Sequence, residues 1–380
     1  MKYFDFAATT PLDLDAAEVY TKVATDHFGN ASSLHDIGYV SNNLLENCRA
    51  ILTELMGISK EGLFFTSGGS EANFLCMEAL LSASMKKGKH IIIGMAEHSS
   101  IHGIAKRLEA DGFTITYLPL KPSGFIDMDR FINAIMPETV LVVIQHVNSE
   151  IGTIQPIEEI GRVCREHDIL LHSDMVQSFG KIDVRNVTPW VSSCSISAHK
   201  IYGPKGIGMA YVDPKIAWRA FFPETTHEKG FRPGTLNVPA IAAMTEAAKK
   251  IVNRQRIDEE KFVQFRHTFI EKLQPINNQV VIYQADQTNQ LPSIIGMRVK
   301  GVEGQWMMLE ANRLGYAIST GSACQAGMQK PAKIMNALGV EAEDAKGFFR
   351  ISFGHGTSLE DVEKLGEAIT EITKRLHAKD

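Results

Sequence analysis

The sequence predicts an α/β protein built on a largely parallel sheet. Three observations carry this: apolar strand-like runs alternate with helical patterns, the runs are short and bounded by turn residues, and the texture changes near residue 251. The strand candidates are 63–66, 90–95, 139–144, 169–171, 194–197 and 207–212. Helical patterns at 71–84, 99–111 and 157–167 lie between them, the first opening after Ser70 as its N-cap. At 380 residues the chain exceeds the size at which one core stops growing, so a large domain and a smaller one are expected. The large domain spans roughly 12–250; the smaller one takes 1–11 and 251–380. The latter opens with a charged helix at 253–273 and continues through a looser stretch at 284–290. Beyond it come strands at 294–299, 316–319 and 349–353, a helix at 305–314 and a closing helix at 359–376.

Composition narrows the functional classes. Hydrophobic residues make up 44% and charged residues 22%, which describes a folded soluble chain. No apolar stretch approaches the ~20 residues that span a bilayer, and the amino terminus lacks the features of a signal peptide, so a cytoplasmic protein is expected, with no membrane partner. The net charge is -5 without a basic block, which argues against nucleic acid as a direct partner. The five cysteines, Cys48, Cys76, Cys164, Cys194 and Cys324, show no CxxC spacing, so neither a disulfide framework nor a metal site is expected.

The chemistry concentrates where predicted strands end. The run at 169–171 leads into His172-Ser173-Asp174, so a buried strand delivers the Asp174 carboxylate to the carboxyl edge of the sheet. A buried carboxylate needs a cationic partner, and the protonated pyridine nitrogen of pyridoxal 5'-phosphate (PLP) is one. Lys200 follows Asp174 and Gln177 and would form a Schiff base with the cofactor's aldehyde. The turn at 66–73, TSGGSEAN, joins a strand to a helix with Gly69 and Ser70 placed to hold a phosphate on the helix N-terminus. Alone this signal is weak, because such turns use Gly and Ser for structural reasons; it matters jointly with Lys200. Lys205 is the competing lysine. Lys200 is preferred because Ser197 and His199 flank it with phosphate donors, whereas Lys205 sits between Pro204 and Gly206.

Other candidates each have a plain structural reading beside the functional one. His98 is either a capped-turn histidine or a ring that stacks on the cofactor and relays protons. Asn148 is either an Asx turn or a ligand of cofactor or substrate. Arg350 either makes a surface ion pair or holds a substrate carboxylate. Cys324, in the small-residue loop 319–327, is an ordinary loop thiol or a travelling nucleophile; the other four cysteines sit in helical or strand contexts and read as packing. The loop Phe231-Arg232-Pro233-Gly234-Thr235 has no function that composition alone supplies.

Taken in order, these motifs resemble the NifS/IscS-type cysteine desulfurases over nearly the whole chain. The resemblance rests on residues 4–11 (FDFAATTP), 28–33 (FGNASS), 66–73, Glu97-His98, 146–152 (HVNSEIG), Asp174 with Gln177, 197–206 (SAHKIYGPKG), 232–235 (RPGT), 319–324 (STGSAC) and 349–354 (FRISFG). It implies a fold-type I PLP-dependent transferase with a mainly parallel seven-stranded sheet and a smaller α+β C-terminal domain. It also implies Lys200 as the Schiff-base lysine, Asp174 on the pyridinium nitrogen, Gln177 on the phenolic oxygen and His98 on the ring. Gly69, Ser70, Ser197 and His199 would hold the phosphate, joined by Thr235 of a second subunit in a homodimer. Asn148 and Arg350 would bind the substrate carboxylate. L-cysteine would become L-alanine through a ketimine, with sulfur passing to Cys324 as a persulfide. An acceptor protein serving iron–sulfur cluster assembly or another thio-cofactor pathway would then take it.

The STGSAC context resembles the IscS/NifS group rather than SufS, and the Bacillus-type NifS-like branch in particular. Two places depart from the common pattern: residues 222–228 replace a glycine-rich stretch, and His355 stands where an arginine often follows Phe-Gly. Alternatives are a selenocysteine lyase or another fold-type I enzyme such as an aminotransferase, and, from a different class, a non-catalytic PLP-binding scaffold.

Overall fold

All six apolar runs become strands of one sheet, because residues apolar on both sides of a strand demand cover on both faces of the sheet. The computed structural model describes residues 1–86, 88–321 and 332–377. The first part runs β1 (Lys2–Tyr3), α1 (Leu14–Asp26), α2 (Asp36–Met56), β2 (Leu63–Thr66), α3 (Gly69–Ala83), β3 (His90–Gly94), α4 (Ser99–Ala110) and β4 (Thr114–Leu118). Then follow α5 (Met128–Ala134), β5 (Thr139–Val143), α6 (Ile157–Glu166), β6 (Leu170–Asp174), β7 (Ser193–Ser197) and β8 (Gly208–Val212). A long helix, α7 (Val238–Lys272), leads to β9 (Val280–Tyr283), β10 (Ile294–Val299), α8 (Gly304–Arg313), β11 (Tyr316–Ala317) and α9 (Lys333–Ala337). The described chain ends with α10 (Ala342–Ala345), β12 (Phe348–Ser352) and α11 (Leu359–His377).

Among the described residues the main sheet has seven strands in the order β2-β8-β7-β6-β5-β3-β4. Only β8 runs antiparallel to its neighbours. Successive side chains of one strand enter opposite cores. Ile91 and Ile93 pack with Leu75, Ile101 and Ile104 of α3 and α4, while Ile92 packs on the other face with residues of α2, α6 and α7. The seventh strand, β4, escaped the sequence reading because Thr114, Thr116 and their neighbours at the sheet edge are only partly covered, so the run is not apolar.

Three expectations about helices are corrected. α3 begins at Gly69 with Gly68 as its N-cap, not after Ser70. Gly68 has φ +153, a backbone position that a residue with a side chain rarely takes, and this leaves Ser70 inside the first turn. α1 and α2 were not anticipated at all. The charged helix expected at 253–273 is the second half of α7, which starts fifteen residues earlier behind the Asn237 cap. The texture change at 251 is a change of surroundings, not of secondary structure. Ahead of it Ala240, Ile241, Met244 and Ala248 join the large core, and beyond it Phe265 and Phe269 join a second core with Phe4, Ile295, Phe349 and Ile351.

That second core is built on the antiparallel sheet β12-β10-β9 and on β1 paired with β11. The amino terminus is therefore anchored far from its sequence neighbours. Phe4 is 1% exposed in the second core, and the chain then turns back so that Thr10 N–H donates to His199 O at 2.9 Å.

One buried ion pair ties the irregular 213–237 region to the sheet. Arg49 Nη2 donates to Glu228 Oε1 at 2.7 Å, and the Phe65 N–H donates to Glu228 Oε2 at 2.7 Å. Glu228 and Lys229 adopt φ +45 and +54, a strain that these contacts hold in place. Glu228→Ala removes the buried carboxylate shared by Arg49 and the Phe65 N–H, leaving Arg49 only the half-exposed Glu46 as an ion-pair partner among the described residues, and is expected to destabilise the protein by about 3–5 kcal/mol in urea unfolding. An unchanged midpoint would show that the pair is not what secures this segment.

Candidate active site

Parallel neighbours place their carboxyl ends on one edge, and β3, β5, β6 and β7 all end there. The segments after these strands enclose a cavity of about 190 Å³ lined by nine of the expected residues: Gly69, Ser70, His98, Asp174, Gln177, Ser197, His199, Lys200 and Arg350.

Asp174 ends β6 and is 8% exposed. Its Oδ2 accepts from Asn73 Nδ2 at 2.9 Å and its Oδ1 from Val176 N–H at 2.9 Å. Asn73 lies in the TSGGSEAN turn, yet the sequence reading gave it no role. It is the hub beneath the carboxylate. Because Nδ2 donates to Asp174, Oδ1 must accept, and it takes His172 Nε2–H at 3.0 Å and the Ser195 hydroxyl. Burial pushes His172 down to about 4, so the imidazole is neutral at pH 7 with its proton on Nε2.

His98 caps α4: its Nδ1 accepts from the Ser100 N–H at 3.2 Å and lies 2.8 Å from the Ser100 hydroxyl. Desolvation lowers its pKa, and the Nδ1 contact assigns the proton of the neutral ring to Nε2. His98 thus caps the turn and also lines the cavity. Neighbouring Glu97 is 3% exposed. Burial raises its pKa well above that of an ordinary carboxylate, with a lesser contribution from Asp174.

Lys200 follows β7 in a short turn. Its Nζ donates to Ala7 O at 2.6 Å and Ala8 O at 2.8 Å, so the amino-terminal segment supplies the wall opposite the sheet. Gln177 Nε2 shares Ala7 O at 2.7 Å, and Gln177 Oε1 accepts from Lys181 Nζ at 2.5 Å. Lys181 was missed, having no motif to mark it.

Arg350 is 1% exposed, which excludes the surface ion pair. Its guanidinium donates to Asp5 Oδ1 at 2.6 Å and Ser149 O at 2.8 Å, and among the described residues its buried Nε has no hydrogen-bond partner.

An outer groove of about 370 Å³ shares Gly69, Ser70, Ser197 and His199 with the inner cavity and adds Ser67, Gly68, Lys205 and Gly206. The N–H groups of the first turn of α3 have no partner within the helix. A Cβ on Gly69 would meet Val176 Cγ2 at 2.8 Å, so this approach admits only glycine without rearrangement. Lys205, the competing lysine, lines the outer groove and not the inner cavity, whereas Lys200 lines the inner cavity and not the groove. These features fit PLP: unpaired helix-start amides and hydroxyls for a phosphate, a buried carboxylate for a ring nitrogen, and a lysine for the aldehyde between them.

Two expected residues lie outside this lining. Asn148 does make an Asx turn, its Oδ1 accepting from Glu150 and Ile151 N–H at 2.9 Å each, while its buried Nδ2 has no hydrogen-bond partner. Thr235 is exposed on its loop, outside the cavity lining. Cys324 lies outside the described residues. The other four cysteines are buried, and desolvation raises their thiols, Cys76 and Cys164 to about 12. Of the two departures from the common pattern, His355 replaces an arginine by pairing with Asp258 at 2.8 Å and stacking on Tyr202 at 4.1 Å.

Fold and site together define a fold-type I PLP-dependent transferase. Residues 2–365 match the Aminotransferase class-V family. The chain is 43% identical to the "Putative cysteine desulfurase NifS" of Bacillus subtilis (strain 168), across 98% of this chain and 94% of that protein. Among solved structures, "NIFS-LIKE PROTEIN" is similar with TM-score 0.90 and 27% identity, covering 98% of this chain and 99% of that one. "SspA in complex with cysteine" is similar with TM-score 0.78 and 32% identity, covering 93% and 99%. The chain belongs to the Aminotransferase class-V family, within its NifS-type cysteine desulfurases.

The site's buried histidines carry a pH signature. His146 and His172 are both held near 4 by desolvation. Their folded pKa values lie below that of an exposed histidine, so the unfolded chain takes up protons first as pH falls. The stability they contribute is complete above about 6.5 and is lost progressively toward 4, on the order of 3 kcal/mol each at the limit. Urea midpoints should fall between pH 7.5 and pH 5, and His146→Leu should flatten the slope; parallel curves would contradict this.

Proposed function

We propose that the chain is a cysteine desulfurase that converts L-cysteine to L-alanine and receives the sulfur on Cys324. The observation that carries this reading is the convergence of Lys200, Asp174 and Arg350 on one 190 Å³ cavity. Bound there, PLP supplies an aldehyde for the substrate amine and a ring that accepts negative charge from Cα.

The chain's own groups do the rest. Asp174, held in place by Asn73 and Val176, would pair with the ring nitrogen. Lys200 would bond the aldehyde and serve as the base that takes the Cα proton on Nζ, with the Ala7 and Ala8 carbonyls as its resting place. His98, with its proton on Nε2, would face the ring and could donate that proton. Gly69, Ser70, Ser197 and His199 would hold the phosphate, and Gln177 would donate to the phenolic oxygen. Arg350 takes the substrate carboxylate, aided by the unspent Asn148 Nδ2 donor.

The Cys324 thiolate then attacks the substrate sulfur. A sulfur–sulfur bond forms, the carbon–sulfur bond breaks, and its electron pair passes to the carbon fragment, which leaves as alanine after protonation. The raised thiol pKa values of the four buried cysteines support assigning this role to Cys324. An acceptor protein then takes the sulfur.

A homodimer completes the reading, with Thr235 joining the partner's phosphate site. The exposure of Phe28, Leu34, Ile37 and Tyr39, at 69%, 103%, 51% and 64%, supports a covering surface of this kind.

With cysteine alone and no keto acid, alanine and sulfane sulfur should form together; alanine that requires a keto acid would indicate an aminotransferase instead. Lys200→Ala should lower turnover by at least ~10²–10⁴-fold and remove the cofactor's Lys200-linked visible band. Cys324→Ala should keep that band and its response to cysteine while alanine release fails. Mass spectrometry after cysteine treatment should find one added sulfur on the Cys324 peptide, and native alanine release by Cys324→Ala would overturn the assignment.

A further inference from the structure

Gln177 is the residue on which the cofactor's phenolic oxygen depends in the reading above, and its two ends are held by different groups. Ala7 O can only accept, so the atom facing it at 2.7 Å is Nε2. Lys181 Nζ can only donate when charged, so the atom facing it at 2.5 Å is Oε1. The two contacts agree, and they fix one of the amide's two orientations. Nε2 has a second hydrogen, which that orientation leaves for the cofactor. The Ala7 carbonyl also accepts from Lys200 Nζ at 2.6 Å, so Lys181, Gln177, Ala7 and Lys200 form one continuous hydrogen-bonded chain.

Lys181 does not line the cofactor cavity. It lines a second cavity of about 510 Å³, together with Lys200, Phe6, Ile251, Asp258 and His355. The carboxylates on that wall are engaged or outward: Asp183 pairs with Arg185, Asp258 with His355, and Glu259 is exposed on α7. Among the described residues no ion pair includes Lys181. Its charge is therefore uncompensated, and burial, with lesser contributions from Lys200 and Arg350, brings it down to about 7. An ordinary buried structural lysine would be expected to pair with a carboxylate.

We propose that Lys181 is a positioning residue: it holds Gln177 in the amide orientation that turns Nε2 toward Ala7 and the cofactor, so the hydrogen bond offered to the phenolic oxygen depends on a lysine outside the cofactor cavity. This rests on the assignment of Gln177 to that oxygen. Donation to the oxygen stabilises its anion and weakens its hold on the neighbouring proton; losing the donor strengthens that hold.

The test is a pH titration of the visible absorbance band of the holoenzyme in Lys181→Met, Lys181→Arg, Gln177→Leu and the Lys181→Met/Gln177→Leu double variant. Lys181→Met and Gln177→Leu should each raise the band's acid–base midpoint by roughly one pH unit. Lys181→Arg, which keeps a donor toward Oε1, should return the midpoint toward the native value. The double variant should shift no further than Gln177→Leu, because Lys181 acts through Gln177. A midpoint unmoved in Gln177→Leu would sink the assignment of Gln177 itself. A midpoint moved in Gln177→Leu but not in Lys181→Met, or shifts that add in the double variant, would overturn the role of Lys181 alone.

Discussion

The rest of the site depends on the carboxylate of Asp174 being buried with a hydrogen-bond donor on each of its oxygens. A strand covered on both faces carries it to the sheet edge, and Asn73 and the Val176 N–H satisfy its two oxygens from the protein side. That arrangement propagates downward. Asn73 can donate to Asp174 only by accepting from His172 and Ser195, and His172 can donate only if burial keeps it neutral. Each group's donor or acceptor role follows from that of its neighbour, so the floor of the cavity is a single hydrogen-bonded unit.

Facing this one carboxylate is a concentration of positive charge. Lys200 and Arg350 lie close enough to Lys181 to lower its pKa further, beside the larger effect of burial. The protein manages the charge in three ways: Asp5 pairs with Arg350, the Ala7 and Ala8 carbonyls take Lys200, and desolvation brings Lys181 down. An anionic, phosphate-bearing cofactor and a substrate carboxylate complement the remaining field. The amino-terminal segment is central to this. Phe4 anchors it in the second core, so that Asp5, Ala7 and Ala8 reach the cavity from the side opposite the sheet.

Much of the fold was legible because burial on both faces writes itself as apolar runs, and every such run became a strand of the main sheet. β4 was not legible, since an edge strand is half covered and mixes Thr and Tyr with apolar residues. α7 was misread at its start because a helix crossing between two cores changes its apolar face without breaking. At the site, Lys200, Asp174 and the glycine turn carried local signals. Asn73, Lys181 and Asp5 did not, since each matters through a partner from 99 to 345 positions away or through an amide orientation.

The sequence by itself determined the strand–helix alternation, the chemical types at the strand ends and the family to which the chain belongs, because these are properties of local patterning and of ordered motifs. Tertiary structure alone decided which donor meets which acceptor. It turned Asn148 into an Asx turn with a spare amide, made Arg350 a buried partner of Asp5, and gave Lys200 two backbone carbonyls from the far end of the chain. The physical reason is that hydrogen bonds and desolvation depend on distances of a few ångströms between segments that only packing brings together.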